Sequence, residues 1–169
     1  MTRSTPSPPG APETEFATFH EAYVSRYIQL ADAKAGTALV ITAGTLGYLL
    51  GQDAFVAALA FHSNGWLAVL AYLGGLPLAA SSALFFYVIA PRGSKPGKSL
   101  VYFDDVARRS AADFVDAIRS VSAEDLARER LKHAHAIAHV CRRKYIWLRR
   151  AMFSGALGLV AALVWRMVS

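Results

Sequence analysis

A single cysteine, Cys141, leaves the chain without any possible intrachain disulfide. Charge is scarce too: 18% of the 169 residues are Asp, Glu, Lys or Arg, against about 25% in soluble domains. The sequence has no phosphate-cradling GxxxxGK loop, no GxSxG nucleophile elbow and no cysteine cluster at metal-ligand spacing. The usual sequence signatures of phosphoryl transfer, acyl transfer and zinc chemistry are therefore missing. From Trp66 to Ile89 there is no charged residue at all, and none from Ala35 to Leu50. A soluble helix hairpin would have to hide two segments that are apolar on every side, so lipid is the better solvent for them.

What the chain has instead is apolar surface: 54% of its residues are hydrophobic and the mean hydropathy is +0.32. A bilayer core about 30 Å thick asks for roughly 20 helical residues. Three stretches meet that need, at about 34–52, 66–89 and 149–168. The second holds Gly74, Gly75 and Pro77, which membrane helices tolerate better than soluble ones. Residues 1–14, with Pro6, Pro8, Pro9 and Pro12, predict a disordered tail, and 15–169 the membrane domain. The start lacks the basic, apolar and small-residue pattern of a signal peptide, so the first span is expected to stay in the mature protein. Phe16, Phe19, Tyr23, Tyr27 and Leu30 recur at three- and four-residue steps and predict an amphipathic helix leading into that span.

The net charge of +6 and pI near 9.7 are not read as a nucleic-acid footprint, because the basic residues stand beside the apolar runs. The loop 51–65 contains no Lys or Arg, whereas 92–150 contains most of them. The positive-inside rule then puts the N-terminus and 92–148 in the cytosol and the C-terminus outside. The expected fold is an all-α membrane protein, three transmembrane helices with cytosolic helical extensions. Too little chain remains for a catalytic domain, so no enzyme is expected.

Within the cytosolic segment, 92–98 reads as a flexible stretch. Val106, Ala107, Ala111, Phe114 and Ile118 predict one helix from about Asp104 to Ser120. Ser122 followed by Asp125 resembles a capping box, and the helix it starts meets no breaker before Phe153, so it is expected to run on into the third span. Asp104 and Asp105 suit a helix start, and Asp113 and Asp116 are expected to pair with neighbouring basic side chains. His135 and His139 are spaced to share a metal from one helix face but lack a third ligand, so no metal site is assigned. Asp32 and Lys34 stand where the first span begins, a costly depth for a charge without a partner. Arg142, Arg143 and Lys144 are the cations expected at the same level, and either an ion pair or simple interfacial anchoring accounts for Asp32. The same basic segment, interleaved with Tyr145 and Trp147, suits anionic lipid, or an anionic nucleotide stacked on an aromatic ring.

The stretch YIQLADAKAG at Tyr27–Gly36, YFDDVA at Tyr102–Ala107 and the Lys144–Tyr145 pair before the last span, in that order, carry a likeness to a known family. From about Glu15 onward the chain resembles the Pycsar membrane effectors. That resemblance implies an antiphage role in bacteria. A cyclase of the same defence system makes cCMP or cUMP on infection, and the effector senses it and disrupts the inner membrane, ending in abortive infection. The implied activating ligand is a cyclic pyrimidine mononucleotide from that cyclase, with no other cofactor. The lipid bilayer and a homo-oligomer are the expected partners, nucleic acid is not, and the location is the bacterial cell inner membrane. Such a ligand is a monoanion with a flat base and needs cations, a stacking surface and hydrogen-bonding groups. Asp32, Lys34, Tyr102, Arg143, Lys144 and Tyr145 are the residues expected to provide them. The competing readings are a constitutive channel subunit and a membrane-anchored scaffold for a cytosolic partner.

The charge asymmetry makes a direct prediction. Topology reporters fused at Asn64 should report the outside and those fused at Gly97 the cytosol, and a Gly97 fusion active outside would reverse the orientation.

Overall fold

The computed structural model describes residues 11–60, 65–91 and 99–169. Among these residues six helices follow in order: α1 (Ala11–Leu50), α2 (Asp53–Leu59), α3 (Gly65–Ile89), α4 (Phe103–Ala107), α5 (Ala111–Ser120) and α6 (Ala123–Val168). There is no strand among the described residues. Three of the helices, α1, α3 and α6, are long and apolar enough to cross a membrane. α1 already begins at Ala11, so the tail expected over 1–14 is too long by four residues at its end. Pro12 lies in the first turn, where its missing N–H breaks no intrahelical bond. The first ten residues and the flexible stretch expected at 92–98 lie outside the described residues.

The helix expected from Asp104 to Ser120 is two. Ser110 has extended backbone and its Oγ accepts from the Asp113 amide at 3.1 Å, so it caps a new helix. The continuous apolar spacing across Arg108–Ser110 conceals that break. Ser122 does for α6 what Ser110 does for α5: its Oγ accepts from the Asp125 amide at 3.1 Å and donates to the Asp125 carboxylate at 2.7 Å. α6 then continues for 46 residues, as the absence of a breaker predicts.

The chain divides into two compact units, Met1–Ile28 with Pro91–Arg142, and Gln29–Ala90 with Arg143–Ser169. The first is held by small apolar contacts and ion pairs. Ala17, Val24, Ala127 and Ala134 are its buried apolar residues. Glu21 accepts from Arg130 at 3.1 Å, and the buried Asp105 carboxylate accepts from the Ser99 amide at 3.2 Å. Asp104 pairs with Arg108 at 3.2 Å. The ion pairs expected of Asp113 and Asp116 do not form among the described residues; Asp113 accepts from the Ser110 hydroxyl instead, at 2.7 Å.

The second unit is the membrane part. On α6, Ala151, Gly155, Gly158 and Ala162 recur at four- and three-residue steps on a buried face. α3 meets that face with Gly74, Leu78 and Ser81. A Cβ on Gly158 would lie 2.8 Å from Leu78 Cγ and 2.9 Å from the Leu78 nitrogen, and one on Gly155 would lie 2.7 Å from Ser81 Oγ. The backbones therefore meet where only glycine fits, the usual means of helix association in lipid. Hydroxyls add ties. Ser81 donates to the Ala151 carbonyl at 2.7 Å, Ser154 to that of Pro77 at 2.9 Å, and Ser82 to Thr42 Oγ1 on α1 at 3.0 Å. At the far end, Phe55 of α2 packs edge-on against Trp165, with centroids 5.0 Å apart.

Overpacking at Gly158 should be felt as at any tight core contact. Gly158→Ala is expected to cost about 1–3 kcal/mol, whereas Gly44→Ala, whose Cβ would meet nothing within 4 Å, should be neutral. Thermal unfolding in detergent compares the two, and equal midpoints would refute the close approach.

Candidate functional site

The membrane unit contains one buried ammonium group. Lys144 of α6 is only 7% exposed, and its Nζ donates to Asp32 Oδ1 of α1 at 2.5 Å. A cation so enclosed is tolerable only with a charged partner. Farther along, Ala35 of α1 and Leu148 and Ala151 of α6 join Phe85 and Val88 of α3 in one apolar cluster. The ion pair thus stands where polar chemistry gives way to hydrocarbon. Asp32 itself is about one-third exposed, with 34% of its side chain open, so one end of the pair still meets solvent.

Of the three cations expected opposite Asp32, the structure selects Lys144 and leaves Arg142 and Arg143 exposed. Lys34 and Tyr145 are drawn elsewhere. They line a groove of about 670 Å³ between α1 and α6, with Thr37, Ile41, Leu148, Arg149 and Met152 among its other walls. Tyr102 belongs to the other unit, beside Phe103 and His133 at centroid distances of 4.9 and 6.3 Å. The six expected residues are therefore a pair, two groove residues, an exposed arginine and a tyrosine of the first unit.

Sequence reasoning left Arg149 among the flanking cations. The signal that could have found it is its four-residue spacing from Tyr145, which puts both on one face of α6. It also missed the Glu21–Arg130 pair, for which 109 residues of separation leave no signal. His135 and His139 approach with their Nε2 atoms 3.0 Å apart, and no group of three metal-ligating side chains occurs among the described residues. On the first unit's α1 face, Phe16, Phe19, Tyr23 and Tyr27 stand exposed in a ladder, with Tyr23 and Tyr27 at 4.8 Å. The Tyr23 hydroxyl is pushed above its usual value, first by its side-chain hydrogen bond with Tyr27 and then by the charge of that neighbour.

Fold and site define a small three-span helical membrane protein with a buried ion pair at the head of its spans. The sequence pattern of the PycTM family, the Pycsar effector protein domain, matches residues 16–168. The chain belongs to that family, and with it to the membrane effectors of antiviral defence. It is similar to the Pycsar effector protein SaPycTM of Staphylococcus aureus, at 21% identity over 145 residues, which cover 85% of this chain and 88% of that protein. No solved structure matches it.

Breaking one side of the pair should be worse than removing both. Asp32→Asn leaves the Lys144 ammonium enclosed and is expected to cost about 2 kcal/mol. Adding Lys144→Met should recover most of that loss, as read by a double-mutant cycle of unfolding in detergent; additive losses would show that the two groups are not coupled.

Proposed function

We propose that this chain senses a cyclic pyrimidine mononucleotide, cCMP or cUMP, at the cytosolic face of the bacterial inner membrane and then breaches that membrane, ending infection by stopping the host cell. Membership in the Pycsar effector family supports the reading, and the Asp32–Lys144 pair is the structural observation that carries it. A cyclic nucleotide has one phosphodiester charge, the same charge that Asp32 presents to Lys144. The phosphate takes the place of the carboxylate on Lys144, with the exposed Arg143 guanidinium beside it in sequence as a second donor. Because Lys144 is enclosed, it reaches the ligand only in a rearranged state of α1 and α6. Binding then favours that state, which is the condition for a ligand to drive a change.

A complete switch from 1:99 to 99:1 requires about 5.5 kcal/mol of differential affinity. Several copies acting together divide that demand, which is why a homo-oligomer belongs to the proposal. The N-terminus lies in the cytosol in this scheme, so the nucleotide arrives on the side where a cyclase of the same defence system releases it.

Proteoliposomes loaded with a self-quenching dye test the proposal. Leakage is expected when cCMP or cUMP reaches the face bearing Lys144, and not with AMP. Lys144→Ala should slow leakage by about tenfold or more, the worth of a charge-assisted hydrogen bond, while Arg119→Ala should not. Intact vesicles with both nucleotides, from correctly inserted protein, would sink the proposal.

A further inference from the structure

The groove between α1 and α6 combines two features that the nucleotide reading leaves unused. Among the described residues, neither Lys34 nor Arg149 has an ion-pair or hydrogen-bond partner, yet both line the same cavity. Its volume of about 670 Å³ lies within the range of about 300–1,000 Å³ usual for small-molecule sites. Apart from Tyr145 and Thr37, the rest of the wall is hydrocarbon, from Ala33, Ala38, Ile41, Leu148 and Met152. Thr37 spends its hydroxyl on the Ala33 carbonyl at 3.2 Å and offers the groove no free proton. Ile41 lies seven residues past Lys34, about 10 Å farther along the helix axis, and Met152 stands beyond Arg149 on α6. Both are about half exposed, at 52% and 55%, so the apolar end opens to the surroundings of the spans.

A pyrimidine base would find few hydrogen-bonding groups on such a wall. A molecule with one phosphodiester charge and a long hydrocarbon chain matches it at both ends. Basic pockets between membrane helices on the cytoplasmic side hold anionic headgroups for the same reason. We infer that this groove is a binding site for an anionic phospholipid of the cytosolic leaflet, its phosphate held by Lys34 and Arg149 and its acyl chain lying along Ile41 and Met152. The lipid spans the seam between α1 and α6 next to the Asp32–Lys144 pair. The assignment stands apart from the nucleotide reading, whose cation is Lys144.

The experiment uses the full chain in a neutral detergent, titrated with phosphatidylglycerol or with phosphatidylcholine of the same chains, and reads thermal unfolding and lipid retention by native mass spectrometry. Phosphatidylglycerol is expected to raise the midpoint at about tenfold lower concentration than phosphatidylcholine. Lys34→Gln with Arg149→Gln should erase that preference, while Arg119→Gln with Arg166→Gln, which removes equal charge elsewhere, should keep it. Met152→Trp retains both cations, fills the apolar end and should weaken retention of phosphatidylglycerol, a test that holds even if the double variant fails to fold. Equal retention of the two lipids, or a preference that survives loss of both cations, overturns the site. A shift caused by cCMP alone discriminates further. If it disappears in Lys34→Gln with Arg149→Gln, the groove belongs to the nucleotide and the lipid assignment falls; if it persists there, the two sites are separate as inferred.

Discussion

Lipid gives apolar helices no solvent-driven reason to associate, and everything else in the membrane unit depends on how the chain meets that constraint. It does so by contact distance. Gly158 and Gly155 bring α6 so near to α3 that Leu78 and Ser81 fill the space a side chain would need. At that separation hydroxyls can reach across to main-chain carbonyls, which is how Ser81 finds Ala151 and Ser154 finds Pro77. Neither effect works without the other: the hydrogen bonds need the short distance, and dispersion at short distance needs the polar groups satisfied.

The charged pair is a different kind of bond from these ties. Glycine contacts and serine hydroxyls carry no charge for a ligand to imitate. Lys144 has a carboxylate partner that a phosphate can imitate, and an enclosed ammonium cannot remain alone. The pair stabilises the described arrangement only while both charges are present. Its location, where the apolar cluster of Ala31, Ala35, Phe85, Val88, Leu148 and Ala151 begins, joins it to the packing of α1 and α6 within the unit.

The three long helices were legible because an apolar run without charge has few other uses and because nothing interrupts α6 between Ala123 and Val168. The division between α4 and α5 was not. Ser110 and Asp113 have the same spacing as Ser122 and Asp125, but the apolar stripe from Val106 to Ile118 keeps step across the break and outweighs the cap to a reader of periodicity. Asp32 announced that it needed a cation because its depth makes an unpaired charge costly, and a specific choice among Arg142, Arg143 and Lys144 required the rotation of α6, which no pattern in one helix reveals. Tyr102 lies in the first unit and Lys34 in the groove wall of the second, placements that residue type does not reveal: it says what a side chain can bind, and only the fold says beside whom.

Most of the surface of the three spans is turned outward; only 17–33% of their most apolar windows is buried within the molecule. At such outward positions, Val160, Leu157 and Leu163 among them, any side chain that dissolves in hydrocarbon serves equally well. Mutation there is expected to cost little, whereas Gly155 and Gly158 between α3 and α6 leave no room for a larger side chain. For a chain built this way, composition at most span positions is set by the solvent and only a few positions are set by a neighbouring side chain.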